Sequence, residues 1–105
     1  MEEFSRPVSL AESIEYSDNA VVSKTIIKKP TGTVTLFSFD KGEELSEHTA
    51  PFDALVQIID GEAEIVTGGK LNRVISGQTI LLPSNIPHSL KAVEKFKMIL
   101  TMIRS

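Results

Sequence analysis

The chain has 105 residues, of which 41% are hydrophobic, enough for one buried core and too apolar for an extended disordered protein. It has no cysteine, which excludes disulfides, thiolate metal sites and cysteine nucleophiles. Its formal net charge is −3 and its lysines are scattered or paired, as at Lys28-Lys29, so no clustered basic face is offered to nucleic acid.

The acidic start Met1-Glu2-Glu3-Phe4 lacks the apolar run of a secretory signal. Ser9-Leu10-Ala11-Glu12 fits a capping box, with Ser9 as N-cap and Glu12 reaching back, and predicts a short helical turn. From Ala20 to Lys29 the β-branched density of Val21, Val22, Thr25, Ile26 and Ile27 predicts a strand. Pro30-Thr31-Gly32 turns the chain, Thr33 to Phe39 alternates as a strand, and Asp40-Lys41-Gly42 turns it again. A short strand is expected from Glu47 to Ala50 and another from Ala54 to Ile59. Asp60-Gly61 favours a tight hairpin, with Glu62 to Thr67 returning antiparallel. Gly68-Gly69 makes the next hairpin into Leu71 to Ile75, and Ser76-Gly77 leads into Thr79 to Leu82. After a loop at Pro83-Ser84-Asn85, His88 to Val93 and Phe96 to Ile103 complete the sheet. Short strands with closely spaced turn signals predict an all-β sandwich or barrel. The longest apolar run, Ile99 to Ile103 broken by Thr101, is too short to span a bilayer, so a cytoplasmic protein with no membrane partner is expected.

Both histidines fall in a patterned spacing. Gly42, five residues, His48, one residue, Ala50, then Ala54 and Gly61 form one half; Gly77, five residues, Pro83, Asn85 and His88 form the other. This resembles the two-part signature of the cupins, small β-barrels that hold a metal or ligand inside. The family pattern reads G-x5-H-x-H-x(3,4)-E-x6-G and then G-x5-P-x-G-x2-H-x3-N. In this chain Ala50 stands in the second histidine slot and Ala54 in the glutamate slot. The resemblance covers Gly42 to about Ala92 and implies a double-stranded β-helix, or jelly roll, with the motif residues facing inward. It implies one domain over residues 1–105, with 1–19 as an N-terminal arm and 20–105 as the barrel.

The resemblance places His48, Ala50, Ala54 and His88 around an interior pocket and leaves His48 and His88 as the remnant of a metal cage. Two imidazoles make a weak site, because divalent first-row metals normally take three or more protein ligands. The expected cofactor is therefore none, or a weakly bound iron, manganese, nickel, copper or zinc ion. Strand alternation puts positions 48, 50 and 54 on one face if the chain stays extended, and aims Asp53 and Gln57 at the other, unless a bulge at Pro51-Phe52 intervenes. A histidine in a small protein is more often a hydrogen-bonded core or surface residue than a ligand, but both histidines here sit on motif positions. Phe96, Met98, Leu100 and Met102 read first as core, and secondarily as a pocket wall. Phe37 and Phe39 carry the same two readings. Glu43, Glu44 and Glu47 read as a solvated loop, with Glu47 near the barrel mouth.

Two functions follow from this pattern. One is a binding module for a small organic molecule, anionic if either imidazole is protonated. The other is a metal-dependent enzyme of the cupin dioxygenase, isomerase or decarboxylase kind, with His48 and His88 as ligands and Asp53 as the first carboxylate to test. Whether the chain is catalytic stays open between them. In resembling cupins the N-terminal strand often pairs with a second subunit, which implies a homodimer.

Overall fold

Among the described residues, eight strands make up most of the structure: β1 (Val21–Lys29), β2 (Gly32–Phe39), β3 (Glu44–His48), β4 (Asp53–Thr67), β5 (Lys70–Ile75), β6 (Thr79–Leu82), β7 (His88–Lys91) and β8 (Phe96–Ile103). The structure is a computed structural model and describes residues 2–104; Met1, which opens the acidic stretch noted above, and Ser105 lie outside the described residues. All pairings are antiparallel, in the order β1-β2-β8-β4-β7-β3, with β5 and β6 also paired to β4. The turn spacing predicts the all-β architecture, and the curled sheet is the double-stranded β-helix that the resemblance implies.

β4 organises the barrel. Its first half pairs with β6 and β8, its second half with β5 and β7, so this one strand passes from one sheet to the other. Asp60-Gly61 is therefore not the tight hairpin expected from the dipeptide. Asp60 and Gly61 pair with Lys97 and Phe96 of β8, and the register shifts between Ile58 and Asp60. The extra residue flips the phase of the strand: Ala54, Val56 and Ile58 are buried before it, Ala63 and Ile65 after it. Gly61 is required twice over. Its φ is +72°, and a Cβ there would collide with the Lys95 carbonyl oxygen. Pairing with β8 supplies backbone partners that a hairpin would forgo. Gly68-Gly69, by contrast, makes the expected two-residue hairpin, with φ of +58° and +79° and Thr67 opposite Lys70.

β3 also differs from expectation, running from Glu44 to His48 and not from Glu47 to Ala50. Pro51 has no N–H to give a ladder, and the chain leaves the sheet after His48 and bends at Pro51-Phe52. β7 ends at Lys91, two residues short of the expected Val93.

The core lies between the sheets. Phe39 and Phe96 stack at 4.5 Å between centroids, and Phe37 packs beside Phe39 at 6.1 Å. The segment before β1 covers the outer face of β2. There the buried Ser38 hydroxyl donates to the Glu15 carbonyl (2.8 Å), Tyr16 donates to Asp60 (2.5 Å), and Leu36 and Ile14 are buried. The expected helical turn is a three-residue 3-10 turn, Leu10–Glu12, which follows another at Glu2–Ser5, and Ser9 makes no side-chain cap bond. In so short a turn the Ser9 carbonyl itself takes the Glu12 N–H (3.1 Å) and the Ser13 hydroxyl (2.7 Å), which leaves the capping box unused.

Gly61→Ala is expected to destabilise the fold by about 3 kcal/mol, combining the left-handed backbone with the Lys95 collision. Gly77→Ala, where φ is +91° but no atom lies within 4 Å of the new methyl, is expected to cost only about 1 kcal/mol. Urea denaturation of the two variants checks the difference, and equal losses would contradict the account of the β4 crossing.

Candidate functional site

β3 and β7 are neighbours, and their register sets His48 directly opposite His88. The two Nε2 atoms lie 3.2 Å apart, with ring centroids 4.4 Å apart and planes at 73°. The other ring nitrogens are both engaged by backbone carbonyls two residues upstream: His48 Nδ1 meets the Ser46 oxygen at 2.8 Å, and His88 Nδ1 meets the Ile86 oxygen at 3.2 Å. A carbonyl oxygen can only accept, so both Nδ1 atoms carry hydrogen and donate. Both Nε2 atoms are then left as acceptors that face one another. The carboxylate that commonly orients a working histidine is here replaced by two peptide carbonyls, which residue types alone do not disclose.

Local sequence explains how His88 reaches this point. Pro83 and Asn85 (φ +63°) turn the chain after β6, and Pro87 precedes the histidine. The loop is tied to the bend after β3 by two bonds. The Asn85 N–H donates to the Ala50 carbonyl (2.7 Å), and the Ser84 N–H donates to the Asp53 carboxylate (2.9 Å). Asp53 thus points away from the histidines, where alternation aimed it, and holds the loop that presents one of them. Gln57 and Glu47 are exposed and line no part of the histidine cavity.

That cavity has a volume of 330 Å³ and contains all four motif positions, His48, Ala50, Ala54 and His88, in its wall. Positions 48, 50 and 54 come together through the bend at Pro51-Phe52, and not through an extended chain with one alternating face. Val56, Leu82, Leu90, Met98, Leu100 and Met102 supply apolar walls. The β8 stripe therefore does both of the things read from it: Phe96 packs in the core, while Met98, Leu100 and Met102 face the cavity. The β-branched and methionine content of this wall gave no separate sequence signal, because core and cavity demand the same alternation.

Among the described residues no acidic side chain lines the cavity. Burial pushes the pKa of His88 below the ordinary imidazole value, a charge on His48 lowers it further, and the Ile86 carbonyl opposes the shift. As a metal cage the donor set falls short. Methyl groups stand at positions 50 and 54, Asp53 is turned to Ser84, and among the described residues no group of three or more His, Asp or Glu side chains is placed to hold an ion. Two imidazoles do not make a divalent site.

No protein-family profile matches the sequence, and no curated protein matches it. Solved structures do. A conserved protein of unknown function from Streptococcus pyogenes is 37% identical, with a TM-score of 0.92 over 96% of this chain and 89% of that one. A cupin 2 conserved barrel domain protein from Leptotrichia buccalis is 45% identical with a TM-score of 0.85; the match covers 89% of this chain, which spans only 45% of that one. A cupin superfamily protein from Desulfitobacterium hafniense is 29% identical with a TM-score of 0.91, over 95% of this chain and 92% of that one.

The lowered His88 pKa fixes the sign of a pH effect. The unfolded chain takes up a proton more readily than the folded one, so stability is complete above about pH 6.5 and falls as the pH drops below it. Thermal unfolding is expected at a lower temperature at about pH 5.5 than at about pH 7.5, still above the ordinary carboxylate range. His88→Gln is expected to flatten that dependence; a slope unchanged in the variant would contradict the assignment.

Proposed function

The chain belongs to the cupin superfamily, and from that premise we propose that it is a binding module whose barrel holds a small, largely apolar organic molecule oriented by His48 and His88. The observation that carries this reading is the cavity itself: a 330 Å³ space with mostly aliphatic and thioether walls and two imidazole nitrogens converging at one point. Such a combination, apolar walls with few convergent polar groups, is the usual make-up of a small-molecule site. Ala50 and Ala54 give the pocket room where bulkier donors would take it up. A metal-dependent enzyme built on His48 and His88 is less well supported, because its third and fourth donors are methyl groups.

We also propose that the protein is a homodimer. β1 is an end strand of the sheet, with an unpaired edge. The outer face beside it carries an apolar row set by register: Ile27 opposite Val34, Val34 opposite Thr101, Thr101 opposite Leu55, and Leu55 opposite Leu81. Ile27, Leu81 and the nearby Ile103 are exposed. A row of this length on one face suits a self-complementary contact around a two-fold axis.

Ligand-observed NMR with a panel of small amphiphiles is expected to detect binding to the native protein, and Ala54→Leu, which fills the cavity, is expected to weaken it at least about tenfold at a stability cost of about 1–2 kcal/mol. Equal binding by the variant would place the ligand elsewhere. Light scattering at micromolar concentration is expected to give a dimer mass, and the double variant Ile27→Asp, Leu81→Asp a monomer. A native monomer would overturn the dimer.

A further inference from the structure

We infer that the cavity takes up a small organic carboxylate together with one proton, the proton settling on the facing Nε2 atoms of His48 and His88 and the carboxylate docking against them. This rests on the binding reading above and names the chemical class of its ligand.

The geometry leads there by elimination. With each Nδ1–H committed to a carbonyl, the histidine pair offers the cavity two acceptors 3.2 Å apart. Two facing lone pairs are relieved by a proton between them, but that proton is shared with the buried His88 ring, where a positive charge without a counter-ion is disfavoured. Nothing resident neutralises it. Of the charged groups on the surrounding elements, Glu44 and Glu47 on β3, Lys91 on β7, Asp53, Asp60, Glu62 and Glu64 on β4 and Lys97 on β8 all stand outside the cavity wall. Arg104, after β8, has its guanidinium over the ring of Phe52, itself a wall residue, at 5.4 Å. A carboxylate arriving alone would be an equally unpaired charge. The two together form a neutral ion pair: the added proton's hydrogen bond runs between the two Nε2 atoms, and the carboxylate meets the resulting cation through charge.

Other head groups fit less well. An ammonium would add a second positive charge with no acid to meet it. A neutral amide or hydroxyl donates to one acceptor but brings no charge to pair with the proton. Burial lowers the proton affinity of His88 in the empty cavity, so the proton is acquired when the ligand binds and is drawn from solvent. The balance is simple: one N–H bond forms on the pair, and one buffer acid loses its proton. At protein-like packing the cavity volume suits an apolar body of about ten non-hydrogen atoms.

Calorimetry with hexanoate, hexanamide and hexylamine at about pH 8, above the ordinary imidazole range, tests this directly. Hexanoate titrations are run in phosphate and in Tris, whose ionisation enthalpies differ, so that the difference in heat counts protons. Hexanoate is expected to bind at least about tenfold tighter than hexanamide, with uptake of about one proton, and hexylamine not at all. His48→Gln, at an exposed position and checked for fold by circular dichroism, is expected to lose both the uptake and the preference. Hexanamide or hexylamine binding as tightly as hexanoate, or hexanoate binding without proton uptake, overturns the carboxylate assignment while leaving a ligand-binding barrel. Failure of all three probes to bind the native protein overturns both. Proton uptake that persists in His48→Gln would also end the assignment to this pair.

Discussion

Two imidazole nitrogens held 3.2 Å apart inside an otherwise apolar barrel are the contact on which the functional account depends. The contact is produced by backbone and not by other side chains. Cross-strand register sets His48 opposite His88, and the peptide carbonyls of Ser46 and Ile86 hold the two rings by the same arrangement, each two residues upstream. Hydrogen bonds from each Nδ1–H to a peptide carbonyl leave Nε2 as the atom that faces the other ring. The polarity of the cavity is thereby concentrated at one point. Everything else in the wall is aliphatic, aromatic, thioether or a lone threonine, so whatever binds there meets a single polar anchor.

Rigidity at that point depends on ties made elsewhere. The loop that delivers His88 is bonded to Ala50 and Asp53, and Asp53 in turn begins β4. β4 holds both sheets, because it crosses between them at Gly61, where only a glycine accommodates both the positive φ and the adjacent Lys95 carbonyl. A residue far from the histidines thus sets the phase that turns Ala54 and Val56 inward on one side and Ala63 and Ile65 inward on the other. The arm before β1 seals the opposite face of the same sheet through Ser38, Tyr16 and Lys97. Tyr16 binds Asp60 at the crossing itself, so arm and crossing support each other.

The parts of the fold that were legible in the sequence are those governed by local rules. β-Branched runs, the Gly68-Gly69 hairpin and the alternating Phe96 to Met102 strand have short-range causes, and the two-part glycine and histidine spacing places them in a barrel. The misreadings have a common origin in long-range pairing. Asp60-Gly61 reads as a hairpin until β8 is known to offer partners to both residues, and the strand around His48 starts at Glu44 because β7 pairs with it there. The capping box at Ser9 fails because the turn is too short to need it. At the site, the four motif positions do line one cavity, but through a bend at Pro51-Phe52 that alternation alone does not describe. The role of Asp53 as a tie to Ser84, and of the two carbonyls on the rings, depends on backbone atoms that every residue carries, so no residue type signals them.

Which nitrogen of each ring carries its hydrogen decides whether the two Nε2 atoms face each other as acceptors. Long-range nitrogen–proton correlation NMR on the ligand-free protein, recorded at about pH 8, reads this directly for both histidines. The account predicts Nδ1–H on His48 and on His88, with both Nε2 atoms resonating as unprotonated acceptors. Two rings protonated at Nε2, with bare Nδ1 atoms, would mean that the carbonyl contacts do not hold them, and the converging pair would lose its basis.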